Sequence, residues 1–365
     1  MPRRLFFYVM GRVARALLVA FVVVTGIIML VDFVEANRDL DAGANVTSLQ
    51  LFALTALKTP SLIEQTIPFV VLFGTMGAIN GMNRRSELIV MRASGQSAWS
   101  IIRPALWLAA GIGVLWAVAL NPLASRLYDT FEDLSAQWMG AGPRLYDTDI
   151  WLREGSEDAQ VVYRAGALDL DTRTLSDVTV LQLSLDPGDG RTVFTRRFDA
   201  ARAQLVTQGY WQLSDVVENA PREDTQRHSA ISLPTTIDER QLAEQADGER
   251  RRAFWSMPQT IRDNERAGFS ARGLRLQFNR LLSLPVMLIA MTFIAAGVSM
   301  SLAREGGTLR LLITGAALGF GVFFADSMVS AFGEVAVIPV YAAAWSVPLI
   351  VLMLGISHLA KIEDG

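Results

Sequence analysis

Residues 16–34 read ALLVAFVVVTGIIMLVDFV, a run of 19 residues in which only Thr25, Gly26 and Asp32 are not apolar. An α-helix needs about 20 such residues to cross the hydrocarbon core of a bilayer. The run is longer than the apolar region of a typical signal peptide, and it ends in Asp-Phe-Val-Glu, which lacks the small residues of a cleavage site. We therefore expect a retained membrane-spanning helix.

Five further apolar runs follow, and their glycines and prolines are tolerated in membrane helices, where they permit close packing. These runs are Ser61–Met82, Pro104–Leu120, Leu281–Ala303, Thr308–Phe332 and Ala336–Ala360. The composition agrees, because the 365 residues are 51% hydrophobic and 19% charged, whereas soluble domains carry about a quarter charged residues. The sequence thus predicts six spans, three before residue 125 and three after residue 280.

The stretch between the third and fourth spans changes period. Short segments rich in Val, Leu, Thr and aromatic residues alternate with turn residues, which is typical of an antiparallel β sandwich or open barrel. The predicted strands are Gln160–Leu168, Thr179–Leu185, Thr192–Phe198, Ala203–Thr207 and Tyr210–Val217. A short amphipathic helix is predicted at Ser256–Arg266. The predicted fold is an α-helical membrane protein with six transmembrane helices in 1–124 and 271–365 and an inserted all-β domain at 125–270.

Charge is distributed unevenly between these parts. Residues 125–270 contain 17 basic and 25 acidic side chains, and the remainder contains 16 basic and 11 acidic ones. An acidic block of this kind offers no surface for nucleic acid. The short loops carry eleven basic residues on the side of the N-terminus and two, Arg38 and Lys58, on the other. Because basic residues concentrate in cytoplasmic loops, we expect both termini in the cytoplasm and the inserted domain on the far side.

The residues of common enzymatic sites are missing. The chain has no cysteine and only two histidines, His228 and His358, which the predicted topology puts on opposite sides of the membrane, so a His-His-carboxylate metal site is not expected. Neither of the two lysines, Lys58 and Lys361, follows a glycine-rich phosphate loop. We expect no catalysis and no bound cofactor, so that any transport takes its energy from a partner or an ion gradient.

The loop between spans two and three, residues 83–95, reads NRRSELIVMRASG. Ser86 is expected to cap a short helix that Gly95 ends. Leu88 and Met91 lie three residues apart and form an apolar edge, which Glu87 and Arg92 flank. Such a helix suits docking to a motor subunit, and it equally suits an interfacial helix whose arginines touch anionic lipid headgroups.

Several charged residues lie in or beside the spans. A carboxylate at the bilayer centre costs at least ~2.5 kcal/mol, so Asp32 and Asp326 each need a partner, water or a protonated state. A hydrogen bond to a neighbouring helix is favoured over a polar point in a substrate cavity. Arg272, Arg275 and Arg280 suit either lipid phosphates or ordinary interfacial placement of arginine. A proton relay would need a chain of ionisable groups across the core, which the spans lack.

The run from Arg84 to Gly95 resembles the coupling-helix signature of the lipopolysaccharide export permeases of the LptF/LptG (YjgP/YjgQ) family. The resemblance extends over the whole chain and includes the order of three spans, domain and three spans. It also includes Val31-Asp32-Phe33, Phe254-Trp255-Ser256 and Ala325-Asp326. The end of span one and span five are more similar to the G branch than to the F branch.

The resemblance implies a permease subunit in the inner membrane of a Gram-negative bacterium. It implies pairing with a homologous permease and binding of the coupling helices by a dimer of cytoplasmic ATPases, which bind ATP and Mg²⁺. Lipopolysaccharide would leave the membrane through a jellyroll-like periplasmic domain, toward a single-span lipid-transfer protein and a periplasmic bridge protein. The rival interpretations are a proton-driven transporter and a receptor or scaffold that does not transport.

The resemblance and the residue patterns together give three groups of candidate site residues. The ATPase-coupling group is Arg85, Glu87, Leu88, Met91 and Arg92, of which Glu87 and Arg92 match family positions that contact the ATPase. The substrate-cavity group is Ile28, Asp32, Arg38, Phe320, Phe324 and Asp326. The lipid-phosphate group is Arg272, Arg275 and Arg280. One departure concerns the end of span one, where family members can carry a basic pair and this chain has Glu35-Ala36.

Overall fold

The computed structural model describes residues 2–38, 46–138, 145–146, 150–155, 159–169, 172–185, 192–206, 209–221, 224–237, 242, 253–266, 270–302 and 308–364. Internal contacts divide the chain into two compact units. The helical unit comprises Met1–Ala42, Thr47–Phe131 and Arg252–Gly365, and the β unit comprises Gly43–Val46 and Glu132–Arg251. By contacts the inserted unit is therefore narrower than the stretch 125–270.

Ten α-helices lie in the described residues, and a 3₁₀ turn at Glu64–Thr66 and a π turn at Trp116–Leu120 join two pairs of them. The helices are α1 (Arg3–Arg38), α2 (Ser48–Ile63), α3 (Ile67–Arg84), α4 (Glu87–Ala93), α5 (Ala98–Leu115), α6 (Asn121–Trp138), α7 (Met257–Arg266), α8 (Arg272–Leu302), α9 (Thr308–Glu334) and α10 (Val340–Asp364).

Six helical stretches are long and apolar enough to cross a bilayer, which confirms the predicted spans. They are α1, α2 with α3, α5 with α6, α8, α9 and α10. Most of them extend beyond the apolar runs, because helical hydrogen bonding continues into polar flanks that hydropathy does not count. Span two, for example, begins at Ser48, where Thr47 and Gln50 form a reciprocal capping box.

The helical unit is built around α8. Buried residues make up 72% of the most apolar stretch of α8, against 11% for α1 and 11% for α9. Helix α8 packs against α3, α5, α9 and α10, whereas α1 packs against α2, α3 and α5, and α9 packs against α3, α8 and α10. Helices α1 and α9 are therefore peripheral, and both of them border α3.

In the described residues the β unit contains seven strands in one antiparallel sheet, in the order β1-β3-β4-β5-β6-β7, and β2 pairs with the same strand β3 as β1 does. The strands are β1 (Leu145–Tyr146), β2 (Ile150–Gly155), β3 (Ala159–Asp169), β4 (Thr174–Leu185), β5 (Thr192–Val206), β6 (Tyr210–Asn219) and β7 (Gln226–Pro234). The register places Val180 opposite Phe198 and Leu213 opposite Ile231.

The sheet curls around its own apolar face. The rings of Tyr163 on β3 and Trp211 on β6 have centroids 5.9 Å apart, although three strand spacings of about 4.8 Å would separate these strands in a flat sheet. Both residues are fully buried in the core of the unit. Together with the six spans, this inserted β structure confirms the predicted fold class.

The sheet differs from the expected strands in the continuity of β5 and in three strands that were not predicted, β1, β2 and β7. Strand β5 is continuous from Thr192 to Val206, whereas two separate strands were predicted there. Asp199 and Arg202 interrupt the apolar pattern between the two predicted strands, but neither side chain is buried, and Ala200 and Ala203 continue the buried face of the sheet. Strand β7 was missed because Leu233 is its one buried residue.

Candidate functional site

Helix α4 forms the body of the candidate coupling segment. Ser86 stands at its N-cap position with φ 59° and makes no capping hydrogen bond through its side chain, which corrects the predicted cap. At the other end the N–H of Gly95 donates to the Arg92 carbonyl and that of Gln96 to the Met91 carbonyl. Gly95 has φ 83°, so the helix ends in a Schellman motif, as glycine there favours.

The orientation of α4 differs from the one expected for a docking edge. Leu88 and Met91 are only 5% and 6% exposed and pack into the core of the helical unit. Ile89 and Val90 are instead 62% and 65% exposed. Four consecutive apolar residues span more than half a turn of helix, so they cannot all face one side. The four successive apolar residues at 88–91 therefore already indicated that some of them would be exposed.

The two charged residues that flank this edge have partners within the chain. The Glu87 carboxylate accepts hydrogen bonds from Arg12 Nη2 at 2.6 Å and from Tyr8 Oη at 2.9 Å. Arg92 Nη2 donates to Glu363 Oε2 at 3.2 Å. These contacts bring the first part of α1, the segment with α4 and the last turn of α10 together. We call this end of the helical unit the basic end, and Arg85 lies exposed there.

Both carboxylates of the candidate cavity are paired with a cation on a neighbouring helix. Lys58 Nζ on α2 donates to Asp32 Oδ1 at 2.8 Å, and Asp32 is only 8% exposed. Arg280 Nη2 on α8 donates to Asp326 Oδ2 at 3.0 Å. The two pairs involve four different helices and do not form one cluster. This geometry supports the structural interpretation of both carboxylates, and Lys58 is a residue that the sequence analysis missed.

The other arginines of the predicted lipid-phosphate group also contact protein groups. The Arg272 guanidinium donates to the carbonyls of Gly333 at 2.5 Å and Ile338 at 2.6 Å. It thereby satisfies the Gly333 carbonyl in the last turn of α9, where a cation is favoured, and the Ile338 carbonyl in the α9–α10 connection. Arg275 forms an ion pair with Glu265. Arg272 therefore has a structural role in fastening α8 to the α9–α10 connection.

The remaining cavity candidates lie on the two peripheral helices. Phe320 and Phe324 are exposed on α9, and the Phe320 ring lies 5.3 Å from that of Phe69 on α3. Gly315 and Gly319 of α9 face Met76 and Leu72, so this glycine stripe serves close packing on α3. On α1, Ile28 is half-buried and Arg38 is exposed at the end of the helix.

Metal binding finds no support in the part of the chain that the structure describes. There, His, Cys, Asp and Glu form no group of three or more that could hold a metal ion.

Comparison with protein families identifies the chain. The model of the family "Lipopolysaccharide export system permease LptF/LptG" matches residues 7–361, a range that contains the coupling segment and the inserted sheet and reaches into all six spans. No curated protein sequence matches the chain significantly. The family model covers both of its branches and does not distinguish between them. The chain belongs to the LptF/LptG family of lipopolysaccharide export permeases.

Proposed function

We propose that this permease is a membrane subunit of an ATP-driven exporter, that its basic end faces the cytoplasm, and that helix α4 docks there on an ATPase. The exposure of Ile89 and Val90 carries the proposal. Burying an apolar side chain of this size contributes about 1.5–3 kcal/mol, so the pair supplies the apolar centre of a docking surface. Arg85 stands beside it. We call Arg85, Ile89 and Val90 the coupling surface.

The sidedness follows from charge. Eleven basic residues of the short loops belong to the side of the N-terminus and two to the other, and basic loops stay in the cytoplasm. The β unit would then be periplasmic, in the inner membrane of a Gram-negative bacterium. We assign ATP and Mg²⁺ to a dimer of partner ATPases, since the sequence offers no phosphate-binding loop.

The peripheral helices α1 and α9 supply the faces for the other partners. Their apolar side chains are exposed over most of their length, and in a membrane such faces contact lipid or another protein. We assign them to a homologous permease and to lipopolysaccharide, with this chain in the role of the G branch. The curled β unit would pass the lipid to a single-span periplasmic protein and then to a periplasmic bridge protein.

The test is co-purification of the cytoplasmic ATPase in mild detergent. We expect the double variant Ile89→Asp, Val90→Asp to lose at least tenfold in ATPase binding, because both charges would have to be desolvated in the interface. The matched control is Val335→Asp, Val337→Asp, which places the same charges on an exposed apolar pair between α9 and α10. Equal ATPase recovery with both double variants would refute the docking role and the cytoplasmic placement of this surface.

A further inference from the structure

Helix α4 is fastened at both ends to spans that are not its neighbours in the chain. Its covalent neighbours are α3 and α5, in spans two and three. Through Glu87 its first turn contacts Tyr8 and Arg12 of α1, and through Arg92 its last turn contacts α10. The short helix therefore connects with spans one, two, three and six.

The contact at the end of α10 depends on one carboxylate oxygen. Glu363 Oε2 accepts a hydrogen bond from Arg92 Nη2 at 3.2 Å and another from the backbone N–H of Ala98 at 2.9 Å. Ala98 is the first residue of α5, and the first N–H groups of a helix have no acceptor within the helix. A carboxylate placed there also interacts favourably with the helix dipole. Glu363 thus joins α4, α5 and α10 in a single contact.

The ion pair between Arg92 and Glu363 is partly exposed to solvent. The side chains of Arg92 and Glu363 are 32% and 28% exposed, so solvent screens the pair less than a fully exposed one. Helix α10 itself packs along α8, the central helix of the unit. A displacement of α4 would therefore be transmitted to the central helix α8 by α10 as well as by α3 and α5.

We propose that Glu363 is a positioning residue for transport: with Arg92 it fixes the end of α4 to span six, so that movement of a docked motor is transmitted to that span. The inference rests on the proposed docking of an ATPase at the coupling surface. Glu363 itself is not part of that surface. Removing its charge should leave the motor bound and weaken the transmission of its movement.

The experiment uses the permease reconstituted with its ATPase and a second permease in proteoliposomes that contain lipopolysaccharide. Three quantities are measured for each variant: the amount of bound ATPase, the rate of ATP hydrolysis, and the lipopolysaccharide extracted per ATP. Glu363→Gln and Glu363→Ala should retain the bound ATPase and reduce extraction per ATP at least threefold. Glu334→Gln is the matched control, because it removes an exposed carboxylate from the last residue of α9, and it should change none of the three.

A covalent link provides the rescue. The chain contains no cysteine, so Arg92→Cys with Glu363→Cys can be bridged by a flexible bifunctional thiol reagent. The unbridged double variant should be uncoupled, and bridging should restore extraction per ATP. The positioning role is overturned if extraction per ATP stays unchanged in the Glu363 variants, if bound ATPase falls in parallel with extraction, or if the bridge restores nothing. Failure of the unsubstituted permease to bind the ATPase would refute the proposed function instead.

Discussion

Glu154 is the residue that closes the β unit. Its carboxylate lies on β2 and accepts hydrogen bonds from the Tyr163 hydroxyl, from Thr235 Oγ1 at 2.8 Å, and from Thr236 N at 2.7 Å. The two threonines follow β7, so this one side chain connects the first part of the sheet with its last strand. Removing it would leave the buried Tyr163 hydroxyl and the half-buried Thr235 hydroxyl without this acceptor, which is costlier than the loss of one surface hydrogen bond.

Because of the Tyr163 phenol, the stability of the β unit should decrease as the pH rises in the alkaline range. Burial, followed by the hydrogen bond to Glu154, raises the pKa of Tyr163 above its ordinary value of 10.0. Below pH 10 the phenol is protonated in both the folded and the unfolded chain. Above pH 10 it ionises only in the unfolded chain, so the free energy of unfolding should fall by about 1.4 kcal/mol per pH unit.

Tyr163→Phe isolates this effect, because the variant lacks the phenol at position 163 and keeps the other five tyrosines. We expect the difference in unfolding free energy between the two proteins to shift in favour of the variant from pH 10 upward. The measurement is thermal unfolding in detergent between pH 8 and pH 11. Parallel pH curves for the two proteins would contradict the assignment.

At the scale of elements, the crossing of α5 and α8 depends on the absence of a side chain. A Cβ at Gly113 would lie 2.5 Å from the Cα of Pro285, and backbone cannot move aside as a flexible side chain can. Small residues at such crossings let membrane helices approach closely. Since α8 is the central helix of the unit, this approach sets the packing of the first three spans on the last three.

Gly113→Ala should therefore destabilise the helical unit by about 1–3 kcal/mol, the usual cost of overpacking. The control is Gly111→Ala, two residues away on the same helix, where a Cβ would meet nothing within 4 Å. It should be neutral or stabilising by up to about 1 kcal/mol, because alanine is the better helix former. Thermal unfolding of both variants in the same detergent decides the matter, and equal melting temperatures would show that the helices can separate without cost.

At the scale of the whole molecule, the route of the lipid is expected along the two least buried spans. Photo-crosslinking residues at Leu30 on α1 and Phe324 on α9 should capture lipopolysaccharide in active complexes. Trp107 on α5 and Met353 on α10 are comparably exposed and serve as controls. If all four sites contacted only bulk membrane lipid, they would all capture phospholipid and lipopolysaccharide in the same proportion. Stronger lipopolysaccharide capture at Trp107 and Met353 than at Leu30 and Phe324 would show that α1 and α9 do not line the route.

The sequence by itself determined the number of spans, their order and the presence of an inserted β structure. Each of these depends on local patterns: a span needs about 20 apolar residues in succession, and a half-buried strand needs alternation. Where the pattern was weak, as at 199–202 in β5 and along the edge strand β7, the assignment failed because pairing with neighbouring strands determines the structure there. The resemblance to the LptF/LptG family was likewise legible from residues 84–95.

Only the tertiary structure decided which residues helix α4 presents and which charges are already paired. Leu88 and Met91 were predicted to form the docking edge, but they are buried in the core of the helical unit, and Ile89 and Val90 are exposed. Arg92 and Glu363 lie 271 residues apart in the chain, and Lys58 and Asp32 lie on different helices. Such contacts arise from the packing of distant segments, and no local pattern carries that information.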